Sequence, residues 1–216
     1  MTRGKITADI IEVSKELHRK NLLAATDGNI SSRLDDGKVL ITPSGHSKSR
    51  IKPEQMALVD ADGSVLDGNP SSELLMHLKV YELCPQAKFV IHAHPPTAVA
   101  WSIARPELKE LPAECFSEVI LALGSIPFVP YARPGTKDMA VNLIPFLPDY
   151  RVMILSRHGG LSWGEDLQEA LNGIERLEHS CEMLWKAQTL GGINPLPEEE
   201  LKFLRNKRKE IGPRTL

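Results

Sequence analysis

The spacing of apolar residues predicts a helix at the start of the chain. Ile6, Ile10, Val13 and Leu17 recur every three to four positions, which places them on one face of a helix that ends near Asn21. Beyond that point short extended segments are expected, at residues 29–33, 38–42, 56–59 and 64–66. Hairpin turns are predicted at residues 36–37 and 62–63, because the glycine of an Asp-Gly pair readily takes the positive φ that such turns require.

From residue 70 onward, helices and strands are predicted to alternate. The predicted elements are a helix from Ser71 or Ser72 to before Pro85, a strand at 88–91, a helix opened by Pro95 and Pro96, a strand at 119–123, a helix at 136–147, a buried strand at 151–155, a long helix carrying Leu167, Leu171, Ile174, Cys181 and Leu184 on one face, and a last surface helix from Pro197. Early hairpins followed by this alternation predict an α/β fold with a mixed sheet covered by helices on both faces.

Composition narrows the class of protein. The chain has 216 residues, of which 42% are hydrophobic and 25% charged, as in an ordinary globular protein. We expect a single domain over residues 1–216, with 197–216 as a surface helix and tail. A net charge of -2 gives no reason to expect a nucleic-acid or acidic-membrane partner. No apolar run approaches the roughly 20 residues of a membrane helix.

Cellular location is predicted from the N-terminal segment and the cysteines. Charged residues recur from Lys5 to Lys20, which argues against a secretory signal. Cys84, Cys115 and Cys181 are odd in number and far apart, and they read as reduced, mostly buried thiols. We therefore expect a cytoplasmic protein.

Three histidines follow predicted strands. His92 and His94 come directly after the strand at 88–91, and their i, i+2 spacing points both rings to the same side of an extended segment. His158 follows the strand at 151–155 and precedes two glycines, which allow close backbone approach. Three neutral nitrogen ligands with open positions are typical of catalytic zinc sites. A His-x-His pair is also typical of a hydrogen-bonded structural pair, and the spacing alone does not decide between them.

Three short polar turns suggest an anion site. Residues 70–73 (PSSE) would place hydroxyls and free N–H groups at the positive end of a helix, although the same pattern is an ordinary N-cap. Residues 28–31 (GNIS) and 42–45 (TPSG) offer similar groups, which suit phosphate oxygens. Lys48 and Arg50 lie nearby in sequence, but a solvated loop is the expected place for them.

These segments together resemble the class II aldolase/adducin family. The resemblance rests on five motifs in that family's order and close to its spacing, namely 26–31 (TDGNIS), 42–45 (TPSG), 70–73 (PSSE), 92–95 (HAHP) and 157–159 (RHG). It runs from about residue 5 to about residue 190 and extends to 124–127 (GSIP) and 134–136 (PGT). Five ordered motifs are far more specific than any one of them.

The resemblance implies a fold, a cofactor and an assembly. The fold is a three-layer α/β/α sandwich around a central mixed, largely antiparallel sheet. Subunits of this family usually form a homotetramer with active sites at subunit interfaces. The cofactor would be zinc, or another divalent metal such as manganese or cobalt, bound through His92, His94 and His158.

The resemblance also implies roles for the polar motifs. Glu73 matches the family's acid/base carboxylate, which can also ligate the metal until substrate displaces it. The phosphate of a small phosphorylated sugar would bind to a set of polar positions, Gly28, Asn29, Ser44, Gly45, Ser71 and Ser72.

One departure from the family bears on the substrate. Aldolases of the family that act on fuculose phosphate use a tyrosine as proton donor before the GSIP segment, where this chain has Phe116. Glu118 lies two residues later, and the family's methylthioribulose-phosphate dehydratases have a glutamate acid/base in a similar stretch. No tyrosine follows Tyr150, so a family tyrosine near the end of the chain has no equivalent here. After Glu118, Tyr131 is the next proton donor to consider.

The predicted activity is aldol cleavage of a ketose 1-phosphate, of the fuculose or deoxypentulose type, to dihydroxyacetone phosphate and an aldehyde. A methylthioribulose 1-phosphate dehydratase using Glu118 is the alternative. A sugar-phosphate 4-epimerase is less favoured, since such members tend to carry aspartate in place of Glu73. A non-catalytic, adducin-like assembly domain is disfavoured because it would lack the metal histidines, and all three are present here.

Overall fold

The computed structural model describes residues 2–216, which form seven α-helices, three short 3-10 helices (Lys48–Arg50, Pro53–Gln55 and Ile144–Phe146) and eight strands. The helices are α1 (Arg3–Arg19), α2 (Leu74–Leu83), α3 (Pro96–Ala104), α4 (Ser117–Ala122), α5 (Lys137–Leu143), α6 (Leu167–Leu190) and α7 (Glu198–Ile211). The strands are β1 (Asn29–Arg33), β2 (Val39–Ile41), β3 (Ala57–Val59), β4 (Val65–Asp67), β5 (Phe89–Ala93), β6 (Phe128–Val129), β7 (Val152–Leu155) and β8 (Gly159–Gly164).

The strands form one mixed sheet in the order β4-β3-β2-β1-β5-β8-β7-β6. Every neighbouring pair is antiparallel except β6 and β7, which are parallel. The predicted mixed, largely antiparallel sheet with helices on both faces is therefore confirmed. β1, β5 and β8 are adjacent, so the motifs at their ends are brought to one place.

Alternation along the strands divides the core between the two faces of the sheet. On β2, Val39 and Ile41 pack in a cluster with Val80 of α2 and Leu143 of α5. Leu40, between them in sequence, packs in a second cluster whose other members include residues of α1 and α6. Successive side chains on a strand point to opposite faces, so each face buries its own helices.

The strand predicted at 119–123 is wrong. These residues lie in and just after α4, whose Ile120 packs against Leu201 and Leu204 of α7. A short apolar run is compatible with a buried strand or with a buried helix, and the partner element decides. The neighbouring strand is the two-residue β6, which was not predicted.

Strand β8 was also missed, because its sequence (GGLSWG) contains three glycines that disfavour a strand interior. Tertiary packing explains them. A Cβ on Gly160 would lie 2.5 Å from Leu177 Cδ2, and one on Gly164 would lie 2.8 Å from Glu169 Cβ. Glycine is needed because helix α6 crosses β8 closely.

Two further sequence-based expectations concern membrane-spanning helices and the state of the thiols. Within residues 2–216, no helix is both long and apolar enough to cross a membrane. The cysteines are free thiols, with Cys84 and Cys181 buried and Cys115 half-buried, as predicted. Burial raises the pKa of Cys84 to about 12, so this thiol is unreactive at neutral pH.

A buried ion-pair hub fixes the C-terminal tail to the sheet. Arg151, at the entrance to β7, stacks on Trp163 with its Cζ 4.4 Å from the ring centroid and donates from Nη1 to Glu169 Oε1 at 2.8 Å. Glu169 also accepts from Arg214 Nε at 3.0 Å and from the backbone N–H of Thr215 at 2.9 Å. The side chain of Glu169 is 1% exposed, so the pair is desolvated.

Removing Glu169 should therefore destabilise the protein strongly. Glu169→Ala leaves the Arg151 charge buried, and we expect a loss of about 3–5 kcal/mol in the free energy of unfolding, measured by urea denaturation. Glu165→Ala is the matched control, because Glu165 binds the same guanidinium at 2.9 Å but its side chain is 38% exposed. Equal losses in the two variants would contradict the central role of Glu169.

Candidate active site

All three predicted metal-ligand histidines lie at the ends of central strands. His92 is the fourth residue of β5 and is buried, and His94 follows the last residue of that strand. His158 lies in the turn between β7 and β8, where Arg157 takes a φ of +61°. Because β5 pairs with β8, this turn brings His158 beside the other two rings.

The three imidazoles form a compact cluster. Ring centroids are 4.9 Å apart for His92 and His94, 4.8 Å for His92 and His158, and 5.0 Å for His94 and His158. One nitrogen of each ring lies within 4.8 Å of the others. Burial lowers the pKa of His92 to about 3, and burial followed by the proximity of His158 lowers the pKa of His94. At neutral pH both rings are therefore uncharged.

Two glycines make room for the cluster. A Cβ on Gly159 would lie 2.4 Å from the Ala93 carbonyl oxygen and 2.7 Å from His92 Cε1. Gly28 has a φ of +68°, and a Cβ there would lie 2.7 Å from the His92 carbonyl oxygen. The prediction that glycines allow close approach beside the histidines is confirmed.

Glu73 lies against the histidine cluster. Its Oε2 is 3.3 Å from His92 Nε2, and its Oε1 is 3.2 Å from His158 Nε2. Burial alone would raise the pKa of Glu73. The His158 ring, the His92 ring and the Asn29 amide, whose Nδ2 donates to Oε2 at 2.8 Å, outweigh that effect and hold the pKa well below its usual range. Glu73 is thus a buried carboxylate that remains ionised.

The geometry of the cluster fits a bound cation. His92 Nδ1 donates to the carbonyl oxygen of Gly160 at 2.9 Å, so its Nε2 is an acceptor in the neutral ring. That lone pair faces Glu73 Oε2 at 3.3 Å and His94 Nε2 at 3.0 Å. Lone pairs directed at one another and at a carboxylate are unfavourable alone, and a divalent ion among them would satisfy all of them.

Asp27 supports this arrangement from behind His94. Its Oδ2 is 3.4 Å from His94 Nδ1, on the side of the ring away from the cluster. A carboxylate on the second nitrogen commonly orients a metal-binding imidazole. Sequence reasoning placed Asp27 in a motif but gave it no role.

The three polar turns are brought together by the ends of β1 and β2. Ile30 and Thr42 bond reciprocally, with Thr42 N donating to Ile30 O at 3.0 Å and Ile30 N to Thr42 Oγ1 at 3.1 Å. Ser71 N donates to Thr42 O at 3.2 Å, and Ser44 N donates to Asn69 O at 3.0 Å. The turns therefore form one surface at the same edge as the histidines.

Not every side chain predicted to bind phosphate is free to do so on that surface. Helix α2 begins at Leu74, not at Ser71 or Ser72 as predicted, because Ser71 to Glu73 form a turn before it. The Ser71 hydroxyl accepts from Glu73 N at 3.3 Å, and the Asn29 side chain is fully bonded and buried. Within residues 2–216, the Ser72 and Ser44 hydroxyls have no hydrogen-bond partner. Ser72 and Gly45 are exposed and Ser44 is half-buried, so these three residues are best placed to meet an anion.

Lys48 departs from its expected place in a solvated loop. It is 2% exposed, and its Nζ donates to the carbonyl oxygens of Thr26 at 2.7 Å and His46 at 2.9 Å. Burial lowers its pKa, while Asp27 and Glu73 oppose that shift. The ammonium group joins two of the polar turns beside the anion surface. The only feature of the sequence that indicated this position was the spacing of Lys48, four residues after Ser44 of a Gly-containing turn.

The second predicted acid/base residue lies elsewhere in the subunit. Glu118 is exposed on α4, and its one hydrogen bond within residues 2–216 comes from the hydroxyl of Ser117 at 2.9 Å. Phe116 packs, half-buried, against the apolar cluster under α3 and α6. Tyr131 is 57% exposed. None of these side chains contacts the histidines of its own subunit.

The fold and the site identify a class of protein. The chain belongs to the class II aldolase family, because residues 8–185 match the model of the Class II Aldolase and Adducin N-terminal domain. It is 33% identical to 3-oxo-tetronate 4-phosphate decarboxylase of Escherichia coli K12 over 183 residues, 82% of this chain and 84% of the relative.

Two other family activities are found among the similar proteins. Methylthioribulose-1-phosphate dehydratase of Methylococcus capsulatus is 33% identical over 184 residues, 80% of this chain and 89% of the relative. A solved structure of L-fuculose 1-phosphate aldolase superposes with a TM-score of 0.86 at 30% identity, covering 97% of this chain and 98% of that one. The chain is thus an enzyme of the class II aldolase type, in a family that uses a divalent metal and acts on sugar phosphates.

The histidine cluster should bind about one divalent ion per subunit. His94→Ala should abolish that binding, because one of three ligands is lost and the two that remain hold an ion weakly. Elemental analysis after reconstitution with zinc measures the content. His179→Ala, which removes an exposed histidine of α6, is the control and should keep its metal. Unchanged metal in His94→Ala would contradict the site.

Proposed function

We propose that this chain is a divalent-metal lyase that breaks the bond between the carbons α and β to the ketone of a small sugar phosphate. The first candidate reaction is cleavage of a ketose 1-phosphate to dihydroxyacetone phosphate and an aldehyde. The observation that carries the proposal is the buried Glu73 carboxylate, whose Oε2 lies 3.3 Å from His92 Nε2 and whose Oε1 lies 3.2 Å from His158 Nε2, beside three polar turns. Zinc is the proposed metal, with manganese or cobalt as alternatives.

The required chemistry explains this set of groups. A divalent ion held by His92, His94 and His158 would polarise the ketone and stabilise the enediolate left when the bond breaks. Glu73 would transfer the proton at the carbon that carries the charge, removing it in condensation and returning it in cleavage. Its position on the cluster suits a base in the condensation direction.

Binding of the phosphate at the polar turns would orient the substrate. Exposed Ser72 and half-buried Ser44 lie on that surface, and Lys48 supplies a positive charge beneath it. Energy gained from the phosphate, which does not react, would then hold the ketone carbons against Glu73.

A second candidate is decarboxylation of a 3-oxo sugar acid phosphate, the reaction type in the name of the Escherichia coli relative. Loss of carbon dioxide also leaves a carbanion next to a ketone, but the leaving group needs no proton acceptor. Glu73 is the one carboxylate that the described residues place on the metal-facing side of the cluster, because Asp27 lies behind His94. That single acid/base group favours decarboxylation.

The assembly determines which candidate has a second acid/base group. We propose a homotetramer in the cytoplasm with active sites at subunit interfaces, as the family resemblance implies. Only in such an assembly would the exposed Glu118 or Tyr131 reach a histidine cluster. A dehydratase would need that glutamate, whereas a 4-epimerase or a non-catalytic assembly domain draws no support from Glu73 and the histidine cluster.

Product analysis separates these candidates. The zinc-loaded protein is given ketose 1-phosphates, 3-oxo sugar acid phosphates and methylthioribulose 1-phosphate, and products are followed by coupled assay for dihydroxyacetone phosphate, by release of carbon dioxide and by mass. Aldehyde together with dihydroxyacetone phosphate supports the aldolase. Carbon dioxide assigns the decarboxylase, and loss of water the dehydratase. Turnover of no compound in the panel would overturn the proposal.

Glu73→Gln tests the proton-transfer role. The amide has nearly the same shape but cannot exchange the proton, so we expect kcat to fall by at least about 100-fold. Metal content should persist because the three histidines are unchanged. A variant with near-normal kcat would show that another group moves the proton.

Ser72→Ala tests the anion surface. The exposed hydroxyl has no partner within the described residues, so its loss should lower kcat/KM for the phosphorylated substrate by about tenfold, the scale of one hydrogen bond to a charged group. Metal content and folding should not change. Ser64→Ala, at an exposed loop serine away from the turns, is the control. An equal kcat/KM for phosphorylated and unphosphorylated sugar would contradict the phosphate assignment.

A further inference from the structure

A row of buried polar side chains runs from Glu73 into the core between α2 and β1. Glu73, His77 and Tyr81 are spaced i, i+4, i+8, which puts them on one stripe of the helix. Asn29 and Ser31 are i, i+2 on β1, which puts them on one face of the strand. All five are at most 9% exposed. The helical stripe therefore faces the strand residues across a dry interface.

Each member of the row is hydrogen-bonded to the next. Asn29 Nδ2 donates to Glu73 Oε2 at 2.8 Å, and Asn29 Oδ1 contacts His77 Nε2. Ser31 Oγ is 2.7 Å from His77 Nδ1 and 2.7 Å from the Tyr81 hydroxyl. No water is needed to complete the row.

The direction of every bond follows from the orientation of the Asn29 amide. Its Nδ2 donates to Glu73 Oε2, and its Oδ1, which can only accept, faces His77. His77 must then carry its proton on Nε2, which leaves Nδ1 to accept from the Ser31 hydroxyl. Burial lowers the pKa of His77 to about 4, so the ring is neutral and can act as donor on one side and acceptor on the other. Tyr81 completes the row as a donor to Ser31, since burial raises the pKa of its phenol.

The hydrogen bond from this row to Glu73 matters most when a metal ion occupies the histidine cluster. In the structure Glu73 is held by the His92 and His158 rings and by the Asn29 amide. The histidine nitrogens facing Glu73 are the ones that would bind an ion, and their lone pairs would then be directed to that ion. Asn29 is then the remaining side chain, among residues 2–216, that hydrogen-bonds the carboxylate.

We propose that His77, Ser31 and Tyr81 are positioning residues, which lock the Asn29 amide in one orientation so that it fixes Glu73 for proton transfer. This inference rests on the proposed function, since it assigns Glu73 the proton-transfer step. His77 itself touches neither substrate nor metal. Without its Nε2–H the amide oxygen of Asn29 would be left unpaired in the core, and rotation of the amide would turn an acceptor toward the carboxylate.

The kinetic test compares three variants of α2. His77→Phe fills the space but removes both hydrogen bonds, and we expect kcat to fall at least about tenfold with KM and metal content unchanged. His77→Gln can still donate to Asn29 and should recover part of the loss. Val80→Ala is the matched control, because Val80 is fully buried on the same helix but apolar, and it should keep kcat while lowering stability.

The outcomes separate positioning from stability. A drop in kcat specific to His77→Phe with partial rescue by His77→Gln supports the proposal. Equal losses in His77→Phe and Val80→Ala, or a normal kcat in His77→Phe, would overturn it. KM distinguishes a disturbed substrate surface from a disturbed Glu73, because only the former changes substrate binding.

A readout independent of turnover is the tautomer of His77. Nitrogen NMR of zinc-loaded protein labelled in histidine should show a protonated Nε2 and an unprotonated Nδ1 at neutral pH. A proton on Nδ1 would overturn the proposal whatever reaction the protein catalyses. If Nε2 is protonated but no panel compound is turned over, the proposed function fails and the hydrogen-bond direction stands.

Discussion

The site depends on keeping one buried carboxylate ionised beside a cluster of three imidazole rings. Burial raises the pKa of Glu73, and the His158 ring, the His92 ring and the Asn29 amide outweigh that effect. These groups come from three different elements, β1, the β5 end and the β7–β8 turn, so they meet only because β1, β5 and β8 are neighbours in the sheet. The order of strands is therefore the structural basis of the charge at the site.

The same constraint explains residues that have no direct chemical role. Gly159 and Gly28 are small because the rings and backbone around His92 leave no space for a Cβ. Asp27 fixes the outer nitrogen of His94, and Lys48 ties the Thr26 turn to the His46 turn. The glycines thus give the His92 region its space, while Asp27 restricts the His94 ring and Lys48 restricts two turns.

The placement of His92 and His94 side by side could be predicted from sequence because their geometry is local. The i, i+2 spacing of His92 and His94 on a strand fixes their common direction without any knowledge of the sheet. His77 was missed although it lies one helical turn from Glu73, because its meaning depends on Asn29, which is 48 residues away in the chain. Lys48 was misplaced for the same reason, since only the folded turns surround it. Strand β8 was missed because its glycines are required by close packing against α6, which local strand propensity does not reflect.

A chelated ketone with one fixed carboxylate is common to several reactions, which accounts for relatives named for decarboxylation, dehydration and aldol cleavage at similar identity. These reactions share the carbanion next to the ketone and differ in what leaves and whether that group needs a proton acceptor. Residues that hold Glu73 and the histidines serve the shared step, so they carry little information about which reaction occurs.

The discriminating group must lie outside the cluster. In this chain the candidates are exposed, on α4 at Glu118 and in the loop at Tyr131. A side chain in such a position contributes to a buried site only when another subunit covers it. Under the proposed function, substrate choice would therefore depend on assembly, whereas Glu73 and the histidine cluster lie together within the single chain.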